Sequence, residues 1–376
     1  MHHESPMAQE ETPVPNASAA SASPLALAEP STGGERFRWV EIFRGLAILE
    51  VVFHHTSGWF LSVLDREGVA WLILAILNRT LHYAVPAFLM MTAFALTLSL
   101  LRDFNLKRYA ANRALRALIP YLLWSGVYLI YRPYLLDAPL DWSRWADYLF
   151  WGKAYFHLYF LAVAVQLYLL LPLLLPAARW RLPFWGVLIA MVALTMAVYW
   201  CNRLVYRVPY TGSYLLWYTP VILLGVWLAT QTQRLGDVIR KGWLSAVGIA
   251  FVGLWLYLPL ALQAIQGIPV NTFQYQVGNW LFTAGVSFLL LVVAYWLSHS
   301  QARLVSGVQL LGRYSLQIYL IHPLILSELN RLSFTSVLQA RWALPLFFVL
   351  ALLVPLALGW LTARFPRVSY TIFGRA

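Results

Sequence analysis

Long apolar runs alternate with short polar breaks along most of the chain, a pattern that predicts a bundle of membrane-spanning helices. A hydrocarbon core about 30 Å thick takes roughly 20 apolar residues of helix. Ten stretches approach or reach that length: residues 39–63, 79–101, 115–131, 155–175, 182–200, 213–230, 243–263, 278–298, 308–329 and 341–363. Val69–Leu77 is apolar but too short to cross alone, so it is expected to lie in the interface or to extend the second span. Residues 1–35 have no apolar period and are rich in Ala, Ser, Pro, Glu and Thr, which predicts a disordered cytoplasmic tail. Residues 366–376 are expected to form a short cytoplasmic C-terminal tail. No basic segment leading into an apolar stretch and a cleavage site opens the chain, so a cleaved signal peptide is not expected. The expected fold class is an all-α polytopic membrane protein of about ten transmembrane helices.

Charge refines this picture. With the N-terminus inside, roughly twice as many Lys and Arg fall in inner segments as in outer loops, which predicts cytoplasmic N- and C-termini. An eleventh span at 69–77 would spoil that bias. Only 11% of residues are charged and 61% are apolar, against about 25% charged in soluble domains. The 18 Trp and 21 Tyr suit wide interface belts. The formal charge of +12 is scattered among the spans, so the expected partner is the bilayer and not a nucleic acid. One cysteine, Cys201, excludes an intrachain disulfide and a cysteine-based metal cluster. The outer loop 132–154 sets Asp137, Asp141 and Asp147 among Trp142, Trp145 and Trp151 and reads as an interfacial cap.

Candidate chemistry centres on the first span. Arg44 and His55 are eleven residues apart. Over that length a helix turns about 1100° and rises about 16 Å, so both side chains share one face. Intramembrane Arg and His cost on the order of 2–3 kcal/mol each by insertion scales, and such residues face a protein interior or a wet cavity. His55 is the candidate base or proton relay, the bland alternative being a packed histidine. Arg44 suits a phosphate or pyrophosphate arriving from the cytoplasm, and pairing with Glu41 is its bland alternative. Glu50 and His54, four apart, read as a mutually satisfied polar pair. Five basic residues between 102 and 116, including Arg113 and Arg116, could grip phosphates or simply signal topology. Ser315, Tyr319 and His322 share a helix face and could line the cavity that His55 faces, with His54, Glu50 and His82 as further lining candidates. His157 could touch substrate or sit in the interface belt. Phosphate-loop, zinc-helix and nucleophile-elbow motifs are missing from the sequence, and no metal is expected.

The segment from Arg36 to Thr56 resembles the opening helix of acyltransferase family 3, whose signature of Arg or Lys, ten residues, then His falls on Arg44 and His55. Further matches follow in order: Val85–Ala93, Arg113–Tyr121, His157–Phe160 and Leu311–Pro323. The resemblance covers about residues 36–365 and is closest to the branch that acetylates surface polysaccharide or lipid-linked sugar. Glu41, Glu50, His54, Thr92-Ala93 and Tyr159 depart from the family pattern. The resemblance implies an O-acetyltransferase of a bacterial inner membrane. Its donor would be acetyl-CoA or another acyl-CoA, held through Arg44, Arg113 and Arg116. Its acceptor would be a glycan or lipid-linked hydroxyl, with His55 as base. Two other classes compete: a transporter or flippase without bond chemistry, and a structural membrane subunit. Transporters often show inverted repeats and broken helix pairs in matching positions, and the sequence carries no visible internal repeat.

Overall fold

The computed structural model describes residues 38–136, 139–332 and 340–374. Among these residues all regular structure is helical. In chain order the helices are α1 (Arg38–Phe60), α2 (Val69–Thr80), α3 (Ala84–Arg102), α4 (Leu106–Arg113), α5 (Ile119–Leu136), α6 (Trp145–Phe150) and α7 (Tyr159–Arg179). There follow α8 (Phe184–Leu204), α9 (Thr219–Thr230), α10 (Leu235–Ile265), α11 (Thr272–Leu297), α12 (Arg303–Arg313), α13 (Ser315–Arg331), α14 (Ala340–Thr362) and α15 (Pro366–Phe373). Each stretch expected to span falls on one or two of these helices. Among the described residues, seven helical stretches are long and apolar enough to cross a membrane. The three that fall short are instructive. Helix α9 has twelve residues and α13 has seventeen, and α1 carries Arg38, Glu41, Arg44 and Glu50.

Helix α1 is the hub. Ile42, Phe43, Gly45, Ala47, Ile48, Glu50, Val51 and Val52 are all buried, and consecutive buried positions mark a helix enclosed on every side. It packs against α2, α3, α11, α12, α13 and α14. Its start is pinned by Arg38, which donates to the carbonyls of Ser298 (3.0 Å) and Ser300 (2.6 Å) just after α11 and to Gln309 Oε1 (3.3 Å) of α12. A guanidinium there satisfies carbonyls that a helix end leaves open. Glu41 accepts from Gln309 (2.6 Å) and Arg313 (3.1 Å), so the carboxylate considered as a partner for Arg44 ties α1 to α12. The crossing is close because both faces carry glycine. A Cβ on Gly312 would meet the Glu41 carbonyl, and one on Gly45 would meet the Val308 carbonyl. At the other extreme, α8 buries only Thr195 and Tyr199 and forms the bundle's periphery.

The structure sharpens the sequence reading at one element and departs from it at two. The short apolar stretch at Val69 becomes α2, which runs to Thr80, breaks at residues 81–83 and resumes as α3. The span expected over 308–329 is split at Tyr314 into α12 and α13. Residues 366–373, expected within a tail, form α15, docked on α5 through Trp124 Nε1 donating to Ile372 O at 3.0 Å. Asp137 lies outside the described residues.

Candidate active site

Polar groups follow α1 from its Arg38 end to its Phe60 end in three tiers. The first holds Arg44, which is half-buried. Arg44 and Arg113 both lie near enough to Tyr168 of α7 to act on it electrostatically. The Arg113 guanidinium carbon stands 5.8 Å from the Tyr109 ring centroid and 5.7 Å from that of Tyr168. Tyr109 Oη donates to the Tyr168 carbonyl at 2.8 Å, which anchors the Tyr109 side chain to the main chain of α7. Arg113 Nε is buried with no hydrogen-bond partner. Two arginines from different helices thus act on one tyrosine, and Arg113, over two aromatic faces, keeps a donor unused. Arg116 is exposed, on a π-helical turn whose main chain packs against Gly374.

Glu50 forms the middle tier. It is 5% exposed and lies against the backbone N–H groups of Tyr83 and Ala84. Those groups open α3, and a helix start presents N–H groups with no acceptor inside the helix. A carboxylate is also favoured there by the helix dipole. Glu50 therefore lies beside the start of a broken helix, and its Oε2 has no partner. The expected pairing of Glu50 with His54 is not formed. Each has turned to backbone groups, His54 towards α2 and Glu50 towards α3.

The third tier gathers five histidines. His54 and His55 rings are 5.2 Å apart, His54 and His82 5.1 Å, His55 and His322 5.4 Å, and His157 and His322 5.9 Å. His54 Nδ1 donates to the Asn78 carbonyl at 3.0 Å, and His322 Nδ1 donates to that of Ile318 at 3.0 Å. A carbonyl only accepts, so in both rings Nδ1 carries the proton and Nε2 is left for other partners. His322 Nε2 is buried without one. His55 stacks on His322 at 27° between planes and also packs against exposed Phe156. Pro323 opens the α13 ladder on this turn, and the Leu320 carbonyl accepts from Tyr128 Oη at 2.7 Å. Tyr319 Oη donates to the His157 carbonyl. Among the described residues no group of three His, Cys, Asp or Glu converges as metal ligands.

This arrangement sits on a chain that matches a family model described as an acyltransferase domain, over residues 37–364. The chain belongs to the acyltransferase 3 family. It is an acyltransferase with membrane-spanning helices. No curated protein and no solved structure matches the chain.

Against this membership the sequence-derived site residues can be placed one by one. His55, His54, His82 and His322 meet in one cluster, as does His157. His157 is fully buried in the turn before α7, between Tyr128 and Tyr319, and not in the interface belt. Arg44 and Arg113 share the first tier. Ser315 is buried at the start of α13, about 10 Å of helix rise from His322, and belongs to a different level. The sequence reading missed Asn78, which is fully buried and donates to the His54 carbonyl (2.8 Å) and Ser57 Oγ (2.9 Å). The available signal was a polar Asn-Arg pair interrupting an apolar run.

Proposed function

We propose that the protein moves an acyl group, acetyl in the simplest case, from cytoplasmic acyl-CoA to a hydroxyl of a surface glycan or lipid-linked sugar. The bacterial inner membrane is the setting that fits such an acceptor. The observation that carries this reading is the shared face of Arg44 and His55 on an enclosed helix, with Arg113 beside the first and imidazoles around the second. Because neighbours surround α1, the surface that Arg44, His54 and His55 retain opens between helices.

In this account Arg44 and Arg113 hold the donor's phosphates, a task suited to planar guanidinium forks. The free Nε of Arg113 is one donor ready for that use. The thioester reaches along α1 for about 16 Å to His55. His55 takes the proton of the acceptor hydroxyl as its oxygen attacks the thioester carbon. The C–O bond forms, the C–S bond breaks, and His55 returns the proton to the departing sulfur. His322 and Phe156 both pack against the His55 ring, which limits its reorientation during transfer. Direct transfer of this kind needs no protein nucleophile.

The test is sided. Proteoliposomes of one orientation receive acetyl-CoA on one face and envelope glycan from the host on the other. Release of free CoA only when acetyl-CoA meets the Arg44 end, with acetyl appearing on the glycan by mass spectrometry, is the expected result. Equal release from both faces, or none, contradicts the proposal.

A further inference from the structure

Arg79 is a half-buried guanidinium on α2, at the level of the histidine cluster, and the acyl-transfer chemistry leaves it without a task. Among the described residues no carboxylate pairs with it. Its fork closes instead on a neutral acceptor: Nε and Nη2 donate to Asn78 Oδ1 at 3.1 and 2.7 Å. Asn78 is itself locked, since its amide nitrogen donates to α1 at two points. The amide aims the guanidinium without neutralising it. Arg79 lies near enough to His54 and His82 to act on both electrostatically, and the two rings are 5.1 Å apart. His54 turns Nδ1–H away to the Asn78 carbonyl, so its Nε2 is left as an acceptor for a hydroxyl of the ligand. His82 is exposed.

An uncompensated cation inside a membrane helix is costly unless something negative accompanies it. A planar fork with the exposed imidazole of His82 nearby is a recognition surface for paired oxygens of one negative group. Its position is also specific. His54 stands between Arg79 and His55, with the His54–His55 rings 5.2 Å apart. A ligand anchored at Arg79 would lie beside the imidazole that acts on the acceptor.

We infer that Arg79 and His82 form an anion subsite for the acceptor, binding a carboxylate or phosphate carried by the sugar or its lipid. This rests on the acyltransfer reading for the word acceptor, but the binding itself can be measured without any donor. The full chain in nanodiscs is titrated with glucuronate against glucose, and with polyprenyl phosphate against polyprenol. The charged member of at least one pair binds about tenfold or more tightly than its neutral counterpart. The pair that discriminates tells an acidic sugar from a lipid phosphate. R79Q abolishes the preference, R79K keeps part of it, and H82Q weakens it. Equal binding within both pairs by the unaltered protein overturns the inference, whether or not R79Q folds. So does a folded R79Q that still prefers the charged ligand. A protein that discriminates here yet never releases CoA keeps this site and loses the acyl-CoA reading. An active enzyme without discrimination does the reverse.

Discussion

Arg44 and His55 share a face through helical periodicity alone, which is why the pair was legible in the sequence. Their surroundings were not. The i,i+4 spacing of Glu50 and His54 suggested a bond, but that rule describes an isolated helix. In the folded chain the bare N–H groups of α3 and the Asn78 carbonyl, 24 residues from His54, compete successfully for the two side chains. The basic cluster at 102–116 could not be resolved into Arg113, which meets Tyr168, and Arg116, which is exposed. That difference makes a prediction at this scale. Arg44→Ala and Arg113→Ala each raise the KM for acyl-CoA by about tenfold or more, the size of one lost charge-assisted phosphate contact. Arg116→Ala changes it less than either. Initial rates across acetyl-CoA concentrations check this, and an equal effect at all three positions would argue for a diffuse basic loop.

At the scale of elements, two junctions hold the site in shape. The first is the break between α2 and α3, where the Glu50 carboxyl of α1 lies beside the opening N–H groups of α3. The polar Asn78-Arg79 pair interrupts the apolar run close to the break, but the Glu50 carboxyl placed against it is distant in sequence. Glu50→Ala leaves buried N–H groups unsatisfied and lowers stability by about 1–3 kcal/mol. Glu50→Gln keeps an acceptor and costs less. Thermal unfolding in detergent reads the difference, and an Ala variant as stable as the parent would remove the acceptor role. The second junction is the glycine-lined crossing of α1 and α12. Gly312→Ala drives a methyl into the Glu41 carbonyl and costs about 1–3 kcal/mol. It also parts Glu41 from Gln309 and Arg313, so unfolding of this variant begins at a lower temperature than that of Gly248→Ala, where a Cβ meets open space.

Across the whole molecule, the positions of the helices were readable because a membrane imposes length and apolarity on each span. The helices that carry the chemistry obey those demands least. Helix α1 accepts charge because six others enclose it, and α13 accepts His322 and Pro323 because they face inward. Peripheral α8 and α10 face outward and remain apolar. This division explains why the hydropathy pattern located the bundle but the site required a motif. It also concentrates the account on one side chain, since both ends of the path serve His55. The direct measurement is free CoA released from acetyl-CoA by the purified protein, compared with His55→Ala and with His54→Ala, each checked for intact folding. The account predicts a fall of about 10²–10⁴-fold for His55→Ala, the usual worth of a general base, with a smaller loss for His54→Ala. Near-normal CoA release by folded His55→Ala, and still more by the double variant, would contradict it.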